Sequence, residues 1–153
     1  MLVDTEFDQL SGELARLNRL LDRAQARFTA QFGDGLERAA FVLLVHLVKD
    51  GPRRLSALAE AVHSDISTVS RQVTQLVELG LVARQPDPSD GRASLLAATD
   101  EGRATFEAKR ARRNQNMAKV LAEWTPADRA TLCRLLGRFN DDYENHHLRG
   151  TPR

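Results

Sequence analysis

The stretch from Leu55 to Leu96 constrains the fold more than any other, because it reads as two short helices followed at once by a β-hairpin. Leu55-Ser56-Ala57-Leu58-Ala59-Glu60-Ala61-Val62 is a short apolar helix. His63-Ser64-Asp65 is a polar break, and a second helix runs from Ile66 to Leu79. Asp65 is placed to cap that helix, and Gly80 to end it in the left-handed conformation. Leu81-Val82-Ala83-Arg84 then reads as a strand. Pro86 to Arg92 reads as a hairpin tip kept out of regular strand by two prolines and a glycine, and Ala93-Ser94-Leu95-Leu96 as the returning strand. Together these elements predict a winged helix-turn-helix, a unit that presents its second helix to the DNA major groove.

The second helix separates into two faces. At 100° per residue, Ile66, Val69, Val73, Leu76 and Val77 fall on one stripe, which the core is expected to cover. Ser67, Thr68, Arg71, Gln72 and Gln75 fall on the other. An ordinary solvated helix more often carries Glu and Lys there, whereas Glu78 at the far end is the only outward acid. Arg suits guanine O6/N7, Gln suits adenine N6/N7, and Ser or Thr reaches bases or phosphates. The blander reading is a solvated polar face with no ligand.

Arg92 lies at the rim of the hairpin tip with Asp90 two residues before it. An Arg on a protruding tip suits the narrow minor groove, where the negative potential is strongest. Asp90 then either holds the guanidinium or braces the wing backbone. The blander reading is an exposed ion pair worth under about 1 kcal/mol.

These residues resemble a known family. Ile66-Ser67-Thr68-Val69-Ser70-Arg71, Leu79-Gly80-Leu81-Val82-Ala83-Arg84 and Asp87-Pro88-Ser89-Asp90-Gly91-Arg92 look like the MarR family of bacterial transcriptional regulators. Ala98-Thr99-Asp100-Glu101-Gly102 is similar to that family's Leu-Thr-x-x-Gly junction. The likeness spans nearly the whole chain in length and helical order. Two positions depart from it: Ala98 replaces a large residue, and Gly91 replaces a frequent basic one, which removes a wing charge. The resemblance implies that Arg92 enters the minor groove with Asp90 as its support. It also implies that Ser67, Thr68, Arg71 and Gln72 lie in the major groove.

Composition sets outer bounds. A chain of 153 residues with 42% hydrophobic content is one globular domain by size. No apolar run approaches the ~20 residues of a membrane span, and the N-terminus lacks the basic-then-apolar pattern of a secretion signal. The single cysteine rules out an internal disulfide and fits a reducing cytoplasm, the expected location. Net charge is only +1, and residues 52–94 are balanced. Arg53, Arg54, Arg71, Arg84 and Arg92 meet Glu60, Asp65, Glu78, Asp87 and Asp90. Overall charge therefore does not argue for DNA; the placement of individual arginines does.

The flanks read as helices with unfinished packing. Phe7, Leu10, Leu14, Leu17, Leu21, Ala24 and Phe28 step by three and four, a narrow seam that needs a partner. Gly33-Asp34-Gly35 reads as a loop rather than a phosphate cradle, because no third glycine, lysine or preceding strand accompanies it. Leu36 to Val48 is apolar almost all round and so is expected to be buried centrally. A basic helix capped by Thr99 or Asp100 runs to about Glu123. Thr125-Pro126-Ala127-Asp128 opens the last helix with a cap and an N1 proline, and Leu132, Leu135, Leu136, Phe139 and Tyr143 line one of its faces. The expected architecture is mainly α with a small β-hairpin: a winged helix-turn-helix over 36–98, dimerisation helices over 1–34 and 100–148, and a disordered tail over 149–153. The family resemblance implies the same obligate dimer.

The leading functional reading is a homodimeric, sequence-specific regulator of double-stranded DNA. Two second helices sit about one DNA turn, roughly 34 Å, apart on a pseudo-palindromic operator. The resemblance further implies repression relieved by a small, often aromatic anionic effector. Arg16 and His46 are the candidate anion contacts; Arg16 also reads as plain surface charge, and His46 as a core histidine with a satisfied hydrogen bond. Cys133 beside Leu132 reads as a small core or interface residue without redox work. His46, His63, His146 and His147 form no metal-ligand spacing, and no cofactor is expected. Nucleophile elbow, P-loop and zinc signatures are absent, so no catalytic residue is assigned. The alternative is a winged-helix protein–protein module without DNA binding, which has no need of Arg71 together with Arg92.

Overall fold

The computed structural model describes residues 2–32 and 35–147. Six helices and one antiparallel hairpin follow in the order α1 (Leu2–Phe32), α2 (Arg38–Asp50), α3 (Leu55–Ala61), α4 (Ile66–Glu78), β1 (Val82–Asp87), β2 (Asp90–Ala98), α5 (Asp100–Val120) and α6 (Pro126–His147). The chain divides into two compact units, residues 1–103 and 104–153. Of the loop Gly33-Asp34-Gly35, only Gly35 is described, with φ +71°. Gly33, Asp34 and the tail 149–153 lie outside the described residues.

The first unit is built on one cluster of apolar side chains. Ala40, Leu43, Leu44 and Leu47 of α2 meet Leu58 and Ala59 of α3, then Val69, Val73 and Leu76 of α4. Leu81, Val82, Leu96 and Ala98 close it from the hairpin. These are the i, i+3, i+4 and i, i+2 positions that a helix stripe and a strand face must bury. The burial of α2 is narrower than its composition predicts. Val42 stays 41% exposed, because α4 and β2 cover only one side of the helix. Likewise the α4 stripe is narrower than its period suggests: Val69, Val73 and Leu76 are fully buried, but Ile66 is 55% and Val77 37% exposed.

Local chemistry sets the breaks. Asp65 caps α4 through its carboxylate, which accepts from the Thr68 backbone N–H at 2.8 Å. His63 turns the chain between α3 and α4 at φ 50°, a region that disfavours most side chains but in which His is enriched. The turn is held there by the Ser64 N–H donating to Ala59 O at 3.0 Å. Thr99 ties the end of α4 to the start of α5. Its hydroxyl donates to Gly80 O at 2.6 Å and accepts from the Gly102 N–H at 3.0 Å.

The hairpin differs from its expected outline. β1 continues through Pro86 to Asp87, and β2 begins at Asp90, so only Pro88 and Ser89 form the turn. Within the two-stranded sheet β1 has a neighbour on one side alone, so the missing N–H of Pro86 does not break the ladder. The register jumps from Pro86↔Ser94 to Asp87↔Asp90. Gly91, Arg92 and Ala93 are therefore left on β2 without an opposite residue, as in a bulge. One contact was not foreseen. Arg53 forms an antiparallel bridge to Leu96, with N–H to O distances of 3.0 and 2.8 Å in the two directions.

In the second unit, α6 begins as expected. Thr125 Oγ1 accepts from the Asp128 N–H at 3.1 Å and donates to its carboxylate at 2.6 Å, a reciprocal cap ahead of Pro126. Leu135, Leu136, Phe139 and Tyr143 are exposed along one face. Cys133 is exposed too, so it is not a core residue of the chain.

Candidate nucleic-acid interface

The α4 face begins at its cap. Ser67 Oγ donates to Asp65 Oδ1 at 2.5 Å, and Thr68 uses its backbone N–H on the same oxygen. The Ser67 hydroxyl and then Thr68 hold the Asp65 carboxyl well below the usual carboxylate range. The first turn is thus fixed before any ligand arrives. Ser67 and Arg71 are exposed, while Thr68 and Gln72 are half-buried. The Arg71 guanidinium leans on Thr68 Oγ1 at 3.5 Å. Gln75 is engaged elsewhere. Its amide nitrogen donates to Gly35 O at 2.8 Å and so anchors the loop ahead of α2.

The wing places Asp90 and Arg92 together, but not as an ion pair. Asp90 Oδ1 accepts from the Arg92 backbone N–H at 3.1 Å, so of the two expected roles Asp90 fills the backbone brace. The Arg92 side chain extends from the bulge and is exposed. Two residues to which the sequence assigned no role in the site, Arg54 and Asp87, hold this region. Asp87 is 7% exposed, the one buried charged side chain among the described residues. Its Oδ2 accepts from Arg54 Nε at 2.8 Å and lies 2.6 Å from Arg54 Nη2. Its Oδ1 accepts from the Ser89 hydroxyl at 2.7 Å and the Ser89 N–H at 2.9 Å. Those Ser89 bonds, with Arg54 behind them, lower the Asp87 carboxyl to about 2. Asp-Pro-Ser at a turn was the available signal, since Asp commonly accepts from the backbone two residues on. The Arg54 partnership had none.

The two effector candidates each have a carboxylate partner. Arg16 Nη1 sits 3.4 Å from Glu13 on the exposed surface of α1. His46 Nδ1 is 3.0 Å from Asp50 Oδ2, which also meets Arg53 Nη2 at 3.3 Å. The His46 hydrogen bond, ahead of the Arg53 charge, lowers the Asp50 carboxyl. His46 is therefore satisfied, as its blander reading requires, though it is half-buried rather than part of the core. No group of His, Cys, Asp and Glu among the described residues has the geometry of a metal site. No described helix is long and apolar enough to cross a membrane.

Known proteins with this sequence pattern have the same architecture. The model of the MarR family matches residues 36–94, from before α2 to the bulge of β2. An HTH-type transcriptional regulator of Bacillus subtilis, YxaD, is 39% identical over 69% of this chain and 73% of its own. The HTH-type transcriptional repressor MdtR of the same organism is 33% identical over 75% and 76%. The PcaV transcriptional regulator of Streptomyces coelicolor, whose crystal structure holds its natural ligand, is 27% identical. It superposes with a TM-score of 0.59 over 83% of this chain and 91% of its own. All three relatives are transcriptional regulators. With its helix-turn-helix, its bulged wing and these relatives, the chain belongs to the MarR family of transcriptional regulators.

Proposed function

We propose that the protein is a homodimeric, sequence-specific DNA-binding repressor. α4 enters the major groove, with Ser67, Thr68, Arg71 and Gln72 toward base edges and phosphates. Gln75 serves that face mainly by fixing the loop at Gly35. The wing enters the adjacent minor groove with Arg92, on a backbone braced by Asp90. The observation that carries this reading is the polar face of the capped α4, exposed at Ser67 and Arg71, beside a bulge that projects an exposed arginine. Repression is supported by the likeness to MdtR.

Dimerisation is supported by apolar surface that a single chain leaves open. Phe7 is 62% and Leu21 53% exposed on α1, and the α6 face of Leu135, Leu136, Phe139 and Tyr143 is exposed as well. Apolar seams of this kind are stabilised by association. A ligand as effector is supported by the PcaV relative, whose structure holds its natural ligand; an anionic one would suit the cationic Arg16 and the imidazole of His46. If Arg16 and His46 receive it, the anion competes with Glu13 and Asp50 for them.

Affinity for the DNA upstream of the protein's own gene, measured across a salt series against a scrambled fragment, tests the reading. Tight, salt-sensitive and selective binding is expected. Arg92→Ala should weaken that binding and leave the melting temperature unchanged, because the exposed side chain supports no core. Equal, weak binding to every fragment, including duplexes selected from a random pool, would refute DNA recognition and favour a protein partner.

A further inference from the structure

The geometry points to Arg54, outside both the recognition helix and the wing, as the residue that positions the wing for Arg92; this rests on the wing entering the minor groove. Arg54 is the residue before α3, and its neighbour Arg53 bridges Leu96 through two backbone hydrogen bonds. The backbone bearing Arg54 is thereby pinned to β2. From that fixed point the guanidinium reaches the far end of the hairpin. It takes Asp87 Oδ2 with Nε at 2.8 Å and Nη2 at 2.6 Å, and Nη2 lies 3.7 Å from Asp90 Oδ2. Asp87 and Asp90 bracket the two-residue turn, so one planar cation spans both of its sides.

The acceptors at Asp87 are fully used. One oxygen holds Arg54, and the other holds the hydroxyl and N–H of Ser89. The second carboxylate, Asp90, holds the Arg92 N–H. A continuous line of hydrogen bonds and charge therefore runs from α3 through Arg54 to the backbone of Arg92. The β-ladder does not supply this restraint, because Gly91, Arg92 and Ala93 lack opposite residues on β1. A two-stranded ribbon is readily twisted, and its tip would otherwise vary in direction. A planar guanidinium fork fixes direction as well as distance, which an ammonium does not.

The test uses the full-length protein and a duplex that the wild type selects from a random pool. Anisotropy gives affinity, hydroxyl-radical cleavage reports the flanking minor groove, and dimethyl sulfate reports guanine N7 in the major groove. Arg54→Ala is expected to lose minor-groove protection at the flanks and to weaken binding at least about tenfold, the scale of a lost charge-assisted contact. Major-groove protection should persist. Arg54→Ala with Arg92→Ala should bind no worse than Arg92→Ala alone, because both remove one contact. Asp87→Asn, which keeps the side-chain shape, should give the same flank pattern, and Arg54→Lys should not restore it. Retained flank protection in Arg54→Ala, or losses that add in the double variant, would overturn the inference while leaving DNA recognition intact. If the wild type selects and protects no duplex, the underlying reading fails first and the inference with it.

Discussion

The same substitution, Gly to Ala, should have opposite effects in α5 and α6. Gly102 lies in the first turn of α5, under the backbone of Leu81. A Cβ there would overlap Leu81 O and stand 3.1 Å from Leu44 Cδ1. Neither neighbour can give way freely. Leu81 O accepts the Thr99 N–H at 3.0 Å, and Leu44 is completely buried. Alanine gains at most about 1 kcal/mol in helix propensity. Against this stand about 1–3 kcal/mol for overpacking and about 1 kcal/mol for a stretched backbone hydrogen bond. The net expectation is a loss of about 1–3 kcal/mol. Gly137, in α6 and off the Leu132–Tyr143 stripe, meets nothing within 4 Å, so Gly137→Ala keeps the propensity gain alone. Urea denaturation followed by far-UV circular dichroism, at one protein concentration, separates the two. With a slope of about 2 kcal/mol/M, Gly102→Ala should lower the midpoint by about 1 M and Gly137→Ala should raise it by a few tenths. A Gly102→Ala midpoint at or above the wild-type value would refute the argument, because it would mean that Leu81 yields without cost.

Two further outcomes follow from the site. Arg71→Ala should relax base preference as well as affinity, by about 1–3 kcal/mol if the contact is bidentate; an unchanged consensus from random-pool selection would remove Arg71 from the base readers. The Asp87 carboxyl, held at about 2, contributes stability above its ordinary unfolded value of 3.8 and loses it as pH falls toward 2. The stability advantage of wild type over Asp87→Asn should therefore be flat near neutrality and shrink between about pH 4 and pH 2. A difference that does not change with acid would remove the carboxylate from the wing clamp.

What the sequence made legible was local. The Asp65 and Thr125 caps, the Gly80 stop and the helix-turn-helix order depend on residues within a few positions of one another, and periodicity or capping chemistry reads them directly. The α4 stripe was legible in direction but not in width. A 3.6-residue period gives the angle of a buried face, whereas its width depends on what packs against it. Ile66 and Val77 lie at the margins of that cover and are exposed. Proline at 86 argued for an irregular tip, but the free side of β1 removes the conflict.

The wing clamp illustrates what a charge count along the chain leaves out. Arg54 and Asp87 are 33 positions apart, and no pattern joins them until α3 and the hairpin have docked. Counted along the chain, residues 52–94 are neutral. In the fold three of the five acids are taken up locally: Asp87 onto Arg54 and Ser89, Asp65 onto its own helix cap, Asp90 onto the Arg92 N–H, while Glu60 and Glu78 stay exposed. Arg71, Arg84 and Arg92 remain exposed. The hairpin, with two acids against two arginines, thus presents Arg84 and Arg92 outward while its carboxylates are occupied in shaping it. Neutralising Asp87 or Asp90 makes the segment more positive yet should weaken DNA binding. That direction is opposite to what bulk attraction to phosphate predicts, and it separates a shaped electrostatic surface from a merely basic one.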